Sequence, residues 1–330
     1  MGKKVGIPRG LFYYQYYPLW KAFLEELGAE IIVSDQTTKK ILDDGVKSCV
    51  DEACLPVKVF HGHIINIKDK VDYLFIPRFT SVSKNEYICP KFGGLPDMVR
   101  HTFSNLPQII DVEVNMRKSK SNSLKAALDA GKYFTDSRQT IENAYINALK
   151  AYNEHKAKIK NGTNPFGTSN RKINKHLPYD GRKLNVAVIG HVYNVYDSYL
   201  NMDMLCKLEG YGVNVITVDM MDESLINEKS GTLNKRMFWN FGSKAMGSAL
   251  HILDRQDIDG VIFLMSFGCG IDSFVADLAE RKLRRARDIP LTILTIDEHS
   301  GEAGMDTRLE AFIDMIRWRG KNETDISAHG

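Results

Sequence analysis

The residues best suited to do chemistry lie between Ser48 and His63, in the stretch SCVDEACLPVKVFHGH. Cys54 sits two residues before Pro56, and apolar residues follow at helical spacing: Val57, Phe60, Ile64 and Ile67. Proline suits the first turn of a helix, where its missing N–H is not needed. The spacing therefore predicts a helix opened by Pro56, with Cys54 at or just before its N-terminus. Unpaired backbone N–H groups and the positive end of the helix dipole favour an anion there, and thiolate is the form of cysteine that binds metal. Lys58, one helical turn beyond Cys54, adds fixed positive charge. These residues predict that Cys54 ligates a metal centre and that the rest of the chain supplies the other ligands.

Two further cysteines share the loop character of Cys54. Cys89 stands in Ile88-Cys-Pro90 and Cys269 in Gly268-Cys-Gly270, sequences that bare the backbone and leave space beside the sulfur. Cys206 falls in the helical pattern Met202, Leu205, Cys206, Leu208 and reads as core packing, a common fate of an unmodified cysteine. Cys49 makes a C-x4-C spacing with Cys54, but its neighbours carry no loop signal. It reads as a spectator, with a role as fourth ligand left open.

Spacing does not choose the metal, because the tight C-x2-C pairs of structural zinc and of ferredoxins are missing. Three thiolates from distant segments suit a cuboidal iron–sulfur cluster with one iron open. Zinc held by three cysteines and one histidine (His61, His63, His101 or His299) is the alternative. No G-x-x-x-x-G-K-[ST] phosphate loop occurs, so the chain is not expected to hydrolyse ATP itself.

Positioning these residues falls to alternating strands and helices. Residues 3–8 read as a first strand, and a helix with Leu19, Phe23 and Leu27 on one face follows and stops at Gly28. Residues 30–34 form a second strand and Thr38 to Asp44 a short helix. Val71 to Pro77 is a third strand, a long loop leads to Cys89, Pro96 opens a helix, and Gln108 to Val114 gives a fourth strand. Helical spacing over Ile141, Ala144, Tyr145, Ala148, Leu149 and Tyr152 marks a connector, and residues 160–182 are a polar linker. The plan then repeats, with strands at Leu184–Gly190, Val213–Asp219, Val261–Met265 and Leu291–Asp297. Asp272 or Ser273 is a predicted N-cap, a last helix covers Thr307 to Arg317, and the tail after Trp318 is loose. From Val5 to Ile32 is 27 residues, as from Val188 to Val215.

Alternation of this kind implies right-handed crossovers and parallel sheets. The predicted fold is α/β: two similar Rossmann/flavodoxin-like domains with four-stranded parallel sheets, joined by a helical connector. The boundaries fall at 1–116 for the N-terminal domain, 117–182 for connector and linker, and 183–330 for the C-terminal domain. Ligands of such sheets bind beyond the carboxyl ends of the strands, where the cysteine loops lie.

Composition excludes several classes. The 330 residues are 43% hydrophobic and 26% charged, as in an ordinary globular protein. A net charge of +3, from 44 basic and 41 acidic residues, is too small to argue for nucleic acid or a membrane surface. The basic run Arg281 to Arg287 follows a helical pattern and reads as a solvated face. No apolar run approaches the roughly 20 residues of a membrane span, and no targeting signal is read at the start. Five cysteines without disulfide-like spacing predict a reducing cytoplasm.

Several motifs together carry a family resemblance. They are Gly6-Ile-Pro-Arg9, Tyr17-Pro-Leu-Trp20, Glu52-Ala-Cys-Leu-Pro-Val-Lys58, His61-Gly-His63, Cys89-Pro-Lys-Phe-Gly-Gly-Leu-Pro-Asp97, Phe267-Gly-Cys-Gly270 and Asp297-Glu-His-Ser-Gly-Glu-Ala-Gly304. The chain resembles the acyl-CoA dehydratase activase-related family, relatives of the 2-hydroxyacyl-CoA dehydratase subunits and of double-cubane cluster proteins. The resemblance covers most of both halves and little of the connector. It implies paired α/β domains and an oxygen-sensitive iron–sulfur cluster of [4Fe-4S] or double-cubane type, and by motif it gives the ligand role to Cys54, Cys89 and Cys269. It also implies electrons delivered by a separate ATP-dependent activase, and assembly as a homodimer or with a larger dehydratase-like subunit. It does not transfer a substrate, for which an acyl-CoA or another small molecule is the candidate class.

The chemistry of that family explains the need for an electron. Dehydrating a 2-hydroxyacyl thioester requires loss of an unactivated β-proton, which one-electron reduction of the thioester carbonyl makes far more acidic. Proton transfer then needs a nearby acid or base. His191, Glu298 and His299, past the ends of second-half strands, are the candidates, and Lys58 is the candidate for charge beside the cluster. Two function classes follow: a dehydratase-like or reductive enzyme, and a non-catalytic electron carrier or cluster scaffold. A cavity walled by Tyr193, Glu298 and His299 would favour the first.

Overall fold

The computed structural model describes residues 2–119, 121–163 and 183–327. The predicted linker over residues 160–182 lies outside the described residues from residue 164 onward. The chain forms two compact units, Met1–Asn161 with Lys235–Ser243, and Gly162–Asn234 with Lys244–Gly330.

The first unit runs β1 (Lys4–Ile7), α1 (Tyr13–Glu26), β2 (Glu30–Val33), α2 (Lys39–Ser48), α3 (Leu55–Ile67), β3 (Tyr73–Phe75), β4 (Arg78–Ser81), α4 (Pro90–Thr102), β5 (Gln108–Ile110), β6 (Glu113–Asn115), α5 (Asn122–Gly131) and α6 (Arg138–Lys160). Its main sheet is parallel with order β2-β1-β3-β5, and β4 and β6 form a separate parallel pair. The expected fourth strand therefore divides in two, and the expected long loop contains β4. Both strands of the pair are short, and β4 follows Pro77, which interrupts the run of apolar residues. α1 starts at Tyr13, carries Pro18 inside it and buries Trp20, Phe23 and Leu24, while Leu19 and Leu27 are half-buried.

The second unit runs β7 (Leu184–Gly190), α7 (Val192–Val195), α8 (Met204–Gly210), β8 (Val213–Thr217), α9 (Glu223–Gly231), α10 (Asn240–Asp254, whose first residues to Ser243 belong to the first unit), β9 (Gly260–Ser266), α11 (Gly270–Ala286), β10 (Leu291–Ile296) and α12 (Glu302–Ser327). Its sheet is parallel with order β10-β9-β7-β8, the same winding as the first. In β7, Val186, Ala187, Val188 and Ile189 are fully buried, the continuous apolar run of a strand covered on both faces. α12 begins earlier than expected and extends to Ser327 rather than ending in a loose tail after Trp318. Two four-stranded parallel sheets with helices make this a pair of Rossmann/flavodoxin-like folds. No described helix is long and apolar enough to cross a membrane.

Candidate metal centre

Each of the three loop cysteines is the N-cap of a helix: Cys54 of α3, Cys89 of α4 and Cys269 of α11. The local causes differ. At Cys54 and Cys89 a proline within the next two residues starts the helix, and each cysteine keeps an extended ψ, 151° and 132°. At Cys269 the turn is made by Gly268, whose φ of 77° belongs to the left-handed region that glycine adopts without strain. Each carbonyl accepts first-turn N–H bonds: Cys54 O from Val57 N at 2.9 Å, Cys89 O from Phe92 N at 3.0 Å, Cys269 O from Ser273 N at 3.1 Å. Cys89 and Cys269 also hold the same topological place, at the start of the helix between the third and fourth strands of their sheets.

Two expected helix starts are corrected here. α4 begins at Pro90, leaving Pro96 buried inside it, because the proline beside Cys89 takes the first-turn position. The cap of α11 is Cys269 rather than Asp272 or Ser273, because Gly268 has already turned the chain.

The surroundings of Cys54 are held by two close backbone approaches. A Cβ on Gly45 of α2 would fall 2.0 Å from the Lys58 carbonyl oxygen, and one on Gly62 of α3 would fall 1.9 Å from that of Ile41. Lys58 is only 3% exposed. Cys49 ends α2, and burial pushes its thiol up to about 11 against the opposing pull of Lys58, while Cys54 pushes it further up and Lys91 pulls back. Cys49 is thus within Coulombic reach of Cys54 and of both lysines.

The loop before Cys89 is fixed by distant residues of the same unit. Asn240 Nδ2 donates to Glu86 Oε2 at 2.8 Å, Tyr87 N donates to the Phe238 carbonyl at 3.1 Å, and Asn240 N donates to the Tyr87 carbonyl at 2.9 Å. Tyr87 and Trp239 make a parallel bridge. On the other side, Arg78 of β4 grips Asp97 of α4 with two bonds of 2.6 and 3.0 Å and donates to the Gly93 carbonyl at 2.6 Å. Phe92 packs on Phe12 with ring centroids 4.5 Å apart.

In the second unit, Cys269 meets His191 and Asp272. Their ligating atoms all lie within 4.8 Å of one another, and His191 Nε2 is 2.8 Å from Asp272 Oδ1. His191 ends the loop after β7 and stacks on Tyr193 at 4.9 Å, and Asp272 is 4% exposed. Asp272 Oδ2 is buried with no hydrogen-bond partner. Nearby, Ser266 at the end of β9 donates to Asn194 Oδ1 at 2.9 Å, and Asn194 Nδ2 is buried without a partner. The sequence predicts His191 as a site residue and Asp272 only as a cap. Its signal was present in Gly-Cys-Gly-Ile-Asp, which puts a carboxylate one turn from the thiol.

The other candidates are not members of this group. Glu298 is half-buried and His299 exposed in the turn after β10, where Asp297 Oδ1 accepts from His299 N at 2.9 Å. Of the histidines weighed for zinc, His63 is fully buried between Ser34 Oγ at 2.9 Å and Thr37 Oγ1 at 3.1 Å, and burial pulls it down to about 3. His61 Nδ1 is bound to the Val57 carbonyl at 2.8 Å, and His101 is exposed. Cys206 is half-buried on α8, whose buried positions are Met204, Lys207 and Leu208.

Thiolate is the donor an iron–sulfur group takes, and each of the three loop thiols is half-buried at a helix start. Comparison with known proteins gives two family matches. The model of the CoA enzyme activase uncharacterised domain matches residues 4–221, which include Cys54, Cys89 and His191. That of the 2-hydroxyglutaryl-CoA dehydratase D-component matches residues 203–316, which include Cys269, Asp272, Glu298 and His299. The comparison with curated proteins finds no match. With the first match covering well over half of its length, and the second adding a dehydratase-subunit-like region, the chain belongs to the CoA enzyme activase uncharacterised domain family.

Proposed function

We propose that the protein is a dehydratase-type iron–sulfur protein in which Cys54, Cys89 and Cys269 are the thiolate ligands of a [4Fe-4S]-type cluster. Reduction would come from a separate ATP-dependent activase, and the substrate class is a 2-hydroxyacyl-CoA or similar thioester. The observation that carries this reading is that all three thiols occupy helix N-caps, where first-turn N–H groups and the helix dipole favour bound anionic character. When bound, the cluster would supply one electron at low potential.

The chain's own residues supply the rest. Asp272 fixes the His191 ring through Nε2, and stacking on Tyr193 holds its plane. The pair is suited to carry the proton that dehydration must move. Glu298 and His299 are the further candidates for proton transfer, and Lys58 supports the negative charge that arrives with the electron. The buried His191–Asp272 pair favours an enzyme over an electron carrier, since a carrier has no use for a fixed proton-bearing group.

The test is anaerobic purification with iron, sulfide and zinc counted per chain, in the wild type and in five single Cys→Ala variants. The expected protein is brown, bleaches in air, and loses iron and sulfide on substitution of Cys54, Cys89 or Cys269 but not of Cys49 or Cys206. A colourless protein with stoichiometric zinc and no sulfide would sink the reading. Complete loss in Cys49→Ala would instead indicate a site closed by four cysteines, and the carrier or scaffold function would replace the enzyme.

A further inference from the structure

We infer that the cluster-free chain binds one divalent transition-metal ion of the zinc class through His191, Cys269 and Asp272. This site lies wholly in the second unit and does not rest on the cluster reading. Zinc–ligand bonds of about 2.0–2.3 Å bring the donor atoms of one ion to roughly 3.5 Å from each other. The three ligating atoms already lie within 4.8 Å of one another, and the His191–Asp272 pair at 2.8 Å needs only to open slightly.

The donor chemistry agrees with the spacing. Imidazole nitrogen, thiolate sulfur and carboxylate oxygen are the three donor types zinc takes, and three protein ligands leave one position open. A thiolate and a carboxylate together offset the charge of a dication. An ion there would also satisfy Asp272, which is 4% exposed with Oδ2 buried and unpartnered. The start of α11 opposes a cation through its dipole, an effect smaller than the two full negative charges facing it.

The donors sit on supports that fix their positions. The His191 carbonyl accepts from Asn194 N at 2.8 Å and Val195 N at 2.9 Å, and Tyr193 stacks on the ring. Cys269 and Asp272 are one turn apart on the same helix. These are the features of a preformed site rather than of a chance meeting of loops. A consequence is that zinc and cluster assembly compete for the Cys269 thiol.

The experiment titrates Co2+ into the full chain, prepared anaerobically without iron or sulfide, and follows the thiolate-to-cobalt charge-transfer band and the visible d–d bands. One equivalent is expected to bind, with Zn2+ displacing it. The Cys54→Ala/Cys89→Ala double variant should give the same spectrum and affinity. Cys269→Ala should lose the charge-transfer band, and Asp272→Asn and His191→Gln should each weaken binding about tenfold or more. Circular dichroism checks the fold, with Cys269→Ser and Asp272→Ala as replacements for any variant that unfolds. Absence of a thiolate band in the wild type, or its loss in the Cys54/Cys89 variant, would overturn the proposal. So would full affinity in Asp272→Asn. Because neither iron nor sulfide is present, the result is independent of whether a cluster forms.

Discussion

Gly62 of α3 approaches Ile41 of α2 so closely that any side chain on it would meet the Ile41 carbonyl oxygen at 1.9 Å. The obstacle is backbone, and Gly45 makes the reciprocal approach to Lys58, so no rotamer change relieves it. Cys49 ends one of these helices and Cys54 begins the other, so their crossing sets the setting of both thiols. Gly62→Ala is expected to cost about 3 kcal/mol through overpacking and to lower iron uptake. Urea unfolding measures the first effect, and an unchanged midpoint would show that the helices part freely.

Arg78 should matter more to the site than to stability. It and Asp97 are partly exposed, and such pairs contribute about 1 kcal/mol or less. Its bonds to Asp97 and the Gly93 carbonyl nevertheless fix the first two turns of α4, on which Cys89 sits. Arg78→Met is expected to leave the urea midpoint nearly unchanged while iron per chain falls. Equal iron in variant and wild type would show that α4 is held by packing alone.

His63 makes stability depend on pH in a definite direction. Burial holds its folded-state value near 3, against 6.5 for an exposed imidazole, with nearby Arg9 acting the same way. Between those values the unfolded chain carries a proton that the folded chain does not. Stability is therefore full above pH 6.5 and falls as pH drops toward 3, by about 1.4 kcal/mol per pH unit. Burial holds His61 low as well and adds the same sign. His63→Gln should flatten the slope of stability against pH over this window. An identical slope would assign the effect to other groups.

Lys58 is expected to set the potential of the bound cofactor. Its charge is buried one turn into α3, next to the start where Cys54 sits, and positive charge favours the reduced, more anionic state. Lys58→Met preserves the bulk of the side chain. Redox titration should give a lower potential with unchanged iron, whereas an unchanged or raised potential would remove Lys58 from the site.

Much of this fold was legible because the sheet strands are continuous apolar runs bounded by glycine and proline. β7 was read with both its ends correct, and Pro56 announced the helix behind Cys54. What was missed has local causes. Two prolines near Cys89 competed for one role, and Gly268 moved the start of α11 ahead of the acidic residue that looked like its cap. Asp272 went unrecognised because a carboxylate near a helix start reads first as a cap. Its meeting with His191 appears only when β7 and β9 are known to be neighbours. The role of Lys235–Ser243 had no cue at all, since it depends on pairing with a loop some 150 positions earlier.

That last segment bears on how the protein comes apart. Lys235–Ser243 belongs to the first unit although the chain on both sides of it belongs to the second. A gene cut between the two sheets would yield an N-terminal fragment missing the partners of Glu86 and Tyr87, and a C-terminal fragment with its own α10 started by residues that belong elsewhere. The two halves are therefore not interchangeable modules. Loss of Lys235–Ser243 would take with it the bonds to Glu86 and Tyr87 that fix the loop presenting Cys89.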